Sequence, residues 1–237
     1  KDEKRRYLLL IQSNAEIRST GGISGSYAII TANKGKVAMG LQGSIQDLRP
    51  FQKPVLKMSS DEKSVFSELL MTDIRNANQT PDFPRTGQIT RAMVKKGLGE
   101  NVDGVISVDP VAMSFILAGT GPVALANGVV INQDNAVQVL LNSVYQAFPD
   151  AERQDATFEK AARTIFDVVK SGRGESRLAI SGMVKAASEN RLMVWSSREK
   201  EQRVIAPLGL SGALSSDDGA TPHVGLYFGD VAATKME

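Results

Sequence analysis

The longest unbroken apolar run in the first half of the chain is Tyr7-Leu8-Leu9-Leu10-Ile11, directly after the charged leader Lys1–Arg6. Five apolar residues without alternation predict a strand buried on both faces. A polar stretch follows, Gln12 to Ser26, rich in Gly, Ser and Thr. Tyr27–Ala32 and Lys36–Leu41 read as two strands joined by the turn Asn33-Lys34-Gly35. Pro50–Ser60 reads as irregular, and Ser60-Asp61-Glu62 as the cap and acidic first turn of a helix reaching Ile74. Two prolines in Thr80–Gly87 argue against helix there, so the next helix is placed at Gln88–Leu98, with Ile89, Met93 and Val94 on one face. Val102–Val108 reads as a strand, Asp109-Pro110 as a helix start, Val111–Ala118 as a short helix and Gly119–Pro122 as a turn. Gln133–Phe148, capped by Asn132, Asp155–Lys170 and Glu175–Glu189 are amphipathic helices. Arg191–Trp195 reads as a strand, Arg198–Ile205 as a helix, Ala206–Pro222 as a mobile loop and His223–Gly229 as a last strand.

Strands alternate with helices, which predicts an α/β fold: a three-layer α/β/α sandwich around one mixed central sheet. The 237 residues allow one large domain, 1–237, with a candidate subdivision into 1–172 and 175–237. Net charge is +2, too balanced for a non-specific nucleic-acid binder, so no nucleic-acid partner is expected. With no cysteine and one histidine, disulfides, thiolate zinc sites, thiol nucleophiles and multi-histidine metal sites are excluded. No apolar run has the roughly 20 residues of a membrane span. The chain begins at Lys1 and stops after Lys235-Met236-Glu237, and reads as a piece of a longer protein.

The stretch after the first strand is the first candidate site, because ligand sites of α/β sheets lie at the carboxyl ends of strands. It supplies Asn14, Glu16, Arg18, Ser19, Thr20, Gly21, Gly22 and Gly25. Arg grips phosphate bidentately, and glycines let backbone amides approach an anion. The spacing matches neither a Walker loop nor a dinucleotide fingerprint. An equal alternative is a tight loop in which Arg18 pairs internally with Glu16, Asp82 or Asp155. Asp82-Phe83-Pro84-Arg85, with Arg91 beyond it, is a second anion-site candidate, against a rigid turn. Asp155, beside Arg153, serves equally well as a helix cap, and Asp109 is read as a cap before a metal ligand. Trp195 is read as core and His223 as a bystander.

Leu8 to Gly22, read as a block, resembles the signature of domain-of-unknown-function family 4012, found mostly in Gram-positive and especially actinobacterial envelope proteins. Pro81–Pro84, Val102–Pro110, Thr120–Val123, Arg191–Ser196 and Val224–Tyr227 continue the likeness in order. The resemblance implies a domain on the extracellular side of the cytoplasmic membrane, tethered through a segment outside this chain. More distantly, the order of elements resembles the LytR–CpsA–Psr phosphotransferases, which move a glycan from a polyprenyl-pyrophosphate carrier to a cell-wall acceptor. That likeness puts Arg18, Arg49 and Arg153 at pyrophosphate-binding positions, and implies a carboxylate such as Glu16, Asp82 or Asp155 as the base. Arg85 joins these as a catalytic candidate. The Asp pair that holds a divalent metal in those enzymes is replaced by Ser13 or Asn14 and by Thr20. Mg2+ is expected only if the protein is catalytic. Three functions stand side by side: transfer from a lipid-linked phosphoglycan, non-catalytic binding of glycan, lipid or protein in the envelope, or a purely structural domain of a larger envelope assembly.

Overall fold

The computed structural model describes residues 3–125, 128–148, 150–172, 174–215 and 224–230; the side chains of Tyr145, Ala151, Glu152 and Asp155 fall outside that set. Its centre is a five-stranded mixed sheet. β1 (Arg5–Arg18), β2 (Gly21–Asn33) and β3 (Lys36–Ser44) form an antiparallel meander, and Lys34 and Gly35 turn the chain between β2 and β3 with positive φ. Helices α1 (Ser60–Phe66), α2 (Leu69–Thr72) and α3 (Phe83–Leu98) follow, and β4 (Gly104–Val108) then returns parallel to β1. After α4 (Pro110–Thr120) come the short pair β5 (Val123–Ala124) and β6 (Val130–Ile131), then α5 (Ala136–Gln138), a π-helical turn at Val139–Ser143, α6 (Val144–Ala147), α7 (Ala151–Ser171) and α8 (Ser176–Ser188). β7 (Leu192–Ser196) runs antiparallel to β4, so the strand order is β3-β2-β1-β4-β7, and α9 (Glu199–Ile205) follows.

The unbroken apolar run of β1 serves both faces, as its lack of alternation implied. Leu9 and Ile11 pack with Ala28 and Ile30 under α4, α5, α6 and α7, where Met113, Leu140 and Phe158 are buried. Leu8 and Leu10 point the other way, to Tyr27, Ile29, Phe83, Met93 and Trp195. The result is a three-layer α/β/α sandwich around one mixed sheet. α4 and α8 approach closely at two glycines: a Cβ on Gly119 would lie 2.0 Å from the Ala179 nitrogen, and one on Gly182 2.2 Å from the Phe115 carbonyl oxygen. Among the described residues no helix is long and apolar enough to cross a membrane.

Several expectations are corrected. Gln12 to Ser26 is not a loop: β1 runs on to Arg18 and β2 starts at Gly21, so the stretch is a long hairpin. The helix expected to reach Ile74 is broken at Ser67, whose φ is +57°, and its cap is Ser59 rather than Ser60, in a reciprocal capping box with Glu62. α3 starts at Phe83, because Pro84 sits in the first turn, where a missing N–H costs nothing. α4 runs through Thr120, beyond the turn expected from Gly119. The helix expected at Gln133–Phe148 starts at Ala136 and carries the π turn. α7 is capped by Asp150, which puts Asp155 inside the helix rather than at its start. Ala206–Leu208 is a 3-10 turn and the carbonyl of Leu210 accepts from the Val194 amide, so the first part of the expected loop lines the sheet edge. Residues 224–229 form no strand, and His223 lies outside the described residues.

Candidate functional site

The parallel pair β1 and β4 ends at Ile11 and Val108, which are register partners, and β7 begins opposite Val108 at Leu192. The residues just beyond these ends come together at the carboxyl edge of the sheet. Asp109 is 1% exposed. Its Oδ1 accepts from the Ala112 amide at 2.7 Å, capping α4, and its Oδ2 accepts from Asn14 Nδ2 at 2.9 Å and from Arg191 Nη1 at 3.1 Å. Asn14 leaves the β1–β2 ladder in the irregular stretch between Ser13 and Ile17. Its Oδ1 is buried and has no hydrogen-bond partner among the described residues. The Arg191 side chain is 36% exposed, and Asp109 is its one acceptor among the described residues. A carboxylate that only accepts requires Nδ2, not Oδ1, to face it, which sets the amide orientation of Asn14.

Most of the other sequence candidates are dispersed into internal contacts, while Arg49 and Arg153 are exposed. Arg18 is 7% exposed; Nε donates to the Arg75 carbonyl at 3.4 Å, Nη1 to the Ile17 carbonyl at 3.0 Å, and Nη2 lies 3.9 Å from Glu16. Burial pulls its guanidinium below the ordinary arginine value, while Glu16 and Asp230 pull it back up. The hairpin around it is stitched to the segment before α3. Thr20 Oγ1 donates to the Asn78 carbonyl, Asn78 Nδ2 donates to the Gly22 carbonyl at 2.7 Å, and Gln12 Nε2 donates to the Thr20 carbonyl at 3.1 Å. Gly21, at φ +102°, and Gly22 permit this closeness: a Cβ would lie 2.0 Å from Gln12 Oε1 and 1.9 Å from the Ser13 carbonyl oxygen respectively. Ser19 lies beside Gly229, and Asp230 donates its amide to the Ile17 carbonyl at 2.9 Å.

Arg85 forms a two-pronged pair with Glu62, at 2.6 and 3.0 Å, and also reaches the Lys57 carbonyl. Burial raises the Glu62 carboxyl, but the Arg85 guanidinium and the Ser59 amide outweigh it and hold the group below its ordinary value. Asp82 accepts from the Leu214 amide at 3.2 Å, and Arg91 donates to the Val102 carbonyl at 2.8 Å. Arg153 is exposed and lies 3.5 Å from Asp150; Arg49 is exposed beyond the 3-10 turn after β3. The side chain of Asp155 lies outside the described residues.

At the opposite, amino-terminal end of β1 an open cleft of about 880 Å³ is lined by Glu3, Arg5, Lys34, Arg198, Lys200 and Glu201. Arg18 is not among its lining residues. Glu201 there accepts from Arg5, from Ser196 Oγ at 2.8 Å and from Tyr7 Oη at 3.0 Å. Burial, reinforced by the Glu201 contact, pushes the Tyr7 phenol up to about 12.

Among the described residues no three Asp, Glu or His side chains group together, and both oxygens of Asp109 already accept hydrogen bonds. Among the described residues the carboxyl edge presents a guanidinium with spare donors, a buried carboxylate that anchors it and an amide oxygen without a donor. Arg191 was read in the sequence only as the start of a strand and of a segment that continues the family likeness; its approach to Asp109 follows from the pairing of β7 with β4.

The fold is thus a mixed-sheet α/β sandwich with a polar carboxyl edge. The chain belongs to the family described as "Protein of unknown function (DUF4012)", whose model matches residues 2–145. No curated protein matches the sequence. Similar solved structures include protein gbs0355 from Streptococcus agalactiae, at 12% identity over 88% of this chain and 74% of that one, with a TM-score of 0.47. B. subtilis TagU is 14% identical over 85% and 79%, with a TM-score of 0.43. The LytR-Csp2A-Psr enzyme from Actinomyces oris is 10% identical over 88% and 76%, with a TM-score of 0.44. The architecture described above stands on this chain's own strand order and packing.

Proposed function

We propose that this domain is a non-catalytic binding module of the cell envelope, whose ligand is a lipid-linked phosphoglycan or a cell-wall polymer. The observation that carries this reading is the commitment of three candidate catalytic groups, Arg18, Arg85 and Asp82, to the fold itself. Arg18 is buried on backbone carbonyls and Glu16, Arg85 is locked to Glu62, and Asp82 holds the Leu214 amide. A transferase would need cations free to neutralise a pyrophosphate and a carboxylate free to take a proton. A binding module needs no carboxylate free to take a proton, and a polar sheet edge suffices for it. On this reading the domain sits on the outer side of the cytoplasmic membrane, tethered through a segment outside this chain, and protease shaving of intact cells removes it.

The test incubates the protein with a glycan on a polyprenyl-pyrophosphate carrier, a hydroxyl-bearing cell-wall acceptor and Mg2+, following bound glycan, glycan joined to the acceptor and released polyprenyl phosphate. Binding without release is expected. Metal-dependent release in excess of a no-protein control overturns the reading and restores the transferase. In the same assay Arg18→Ala is expected to lower the melting temperature while the folded fraction binds as the wild type does; a selective loss of affinity instead returns Arg18 to the site.

A further inference from the structure

We infer that this chain pairs with a second copy of itself by strand exchange: residues 224–229 of one copy add to the free edge of β3 in the other, and the reverse. The pairing is separate from ligand binding at the carboxyl edge and does not depend on it. The central sheet has two edges, β3 and β7. β7 is covered in part, since the Val194 amide donates to the Leu210 carbonyl at 2.7 Å. β3 is bare: among the described residues the backbone of Val37 to Leu41 has no hydrogen-bond partner outside the sheet. Edge strands are usually blunted by charge or by proline, and Val37 to Ser44 carries neither. Pairing with β2 is regular from Lys36 to Met39. Lys36 closes a two-residue turn against Asn33, so the amides and carbonyls of Val37 and Met39 face away from β2. Their side chains are only partly buried, at the rim of the cluster that Phe158 and Ile165 of α7 help to form.

Residues 224–229, Val-Gly-Leu-Tyr-Phe-Gly, have the matching deficit. In extended form Val224, Leu226 and Phe228 fall on one face, and Gly225, Tyr227 and Gly229 on the other. Yet they join no sheet, and none of the six makes a hydrogen bond among the described residues. Val224, Leu226 and Phe228 are 94%, 84% and 71% exposed. Three large apolar side chains left in water within one short segment mark a contact surface. Laid along β3, the segment gives Val37 and Met39 backbone partners and sets its apolar face beside their side chains. Tyr227 and the two glycines then lie on the solvent side with exposed Ala38. Neither run carries a charge that opposes this. The far end of the segment is clamped to β1, where the Asp230 amide donates to the Ile17 carbonyl and Gln79 Nε2 donates to the Asp230 carbonyl at 3.1 Å. β1 is two strands away from β3 in the sheet, which points the segment to the edge of another copy rather than its own. Reciprocal exchange closes a two-fold dimer in which both deficits are met.

The experiment follows the full chain by sedimentation velocity over a wide range of concentration, without ligand. A dimer that grows with concentration is expected. Leu226→Asp combined with Phe228→Asp should weaken association by about 100-fold, tenfold or more for each side chain left out of the contact. Both positions are exposed in the single chain, so its fold tolerates the change. Val37→Pro removes a donor that faces away from β2 and should also give monomer, since an edge strand accepts proline where its N–H meets solvent. The chain has no cysteine. Ala38→Cys protein mixed with Tyr227→Cys protein should therefore form a mixed dimer with a short thiol cross-linker, which covers the case in which Val37→Pro does not fold. Monomer at every concentration overturns the pairing. So does a dimer that survives the Leu226→Asp and Phe228→Asp pair or a folded Val37→Pro, or one whose Ala38→Cys and Tyr227→Cys copies do not link. Linkage within one chain that carries both cysteine substitutions, in place of linkage between chains, overturns exchange with a second copy.

Discussion

Removing the Asp109 carboxylate tests the geometry of the carboxyl edge through stability alone. In Asp109→Ala the amide of Ala112 loses its cap, which costs about 1 kcal/mol. The Asn14 amide loses its acceptor in a buried setting, at about 1–3 kcal/mol. Arg191 is one-third exposed and turns to water, so little is assigned to it. The expected loss is about 2–4 kcal/mol, which in a chain of this size lowers the melting temperature by roughly 4–16 °C. Urea unfolding followed by the fluorescence of Trp195 reads the global transition, because this single Trp lies in the cluster on the other face of the sheet. Asp109→Ser keeps a capping oxygen and should recover about 1 kcal/mol of the loss. A loss below about 1 kcal/mol in Asp109→Ala, or a serine variant no better than alanine, refutes the shared-carboxylate arrangement.

Gly182→Ala places a methyl 2.2 Å from the Phe115 carbonyl oxygen and pushes α8 off α4. Overpacking of about 1–3 kcal/mol outweighs the gain in helix propensity, so calorimetry should show a lower midpoint, while exposed Ser181→Ala should not. Glu62 has a folded pKa below its unfolded one, so its contribution is complete above the unfolded value near 4.5 and is lost as pH falls through the folded value. The stability difference between wild type and Glu62→Gln, measured by urea titration, should therefore hold at neutral pH and shrink in acid; a difference that grows on acidification contradicts the Arg85 pairing. Tyr7 has a raised folded pKa, so its contribution is complete below about pH 10 and is lost as pH rises through about 12. Phenolate absorbance in Tyr7→Phe should lack a step near pH 12 that the wild type shows; loss of a step near pH 10 instead would show Tyr7 free of Glu201.

What the sequence determined by itself is what depends on neighbours along the chain. The unbroken run Tyr7–Ile11 marked a strand buried on both sides, and it feeds two separate clusters. Asn33-Lys34-Gly35 marked a turn, and the pair Asp109-Pro110 a helix start, because φ preference and capping act within a few residues. Asn14 was singled out because the first strand was expected to end before it; the structure sets it inside β1, at the register break beside Asp109. The tertiary structure decided the rest. Gln12 to Ser26 is polar and Gly-rich, yet it is ordered as a hairpin because Asn78 and Thr20 supply its hydrogen bonds from 58 residues apart. Arg18 became a structural side chain rather than an open cradle because the segment around Arg75 covers it. Arg191 joined the edge because β7 pairs with β4 and sets it against Asp109, 82 residues earlier. Pairing between distant segments follows from sheet register, and register is set by how two buried faces fit together, a property that no local window of sequence contains.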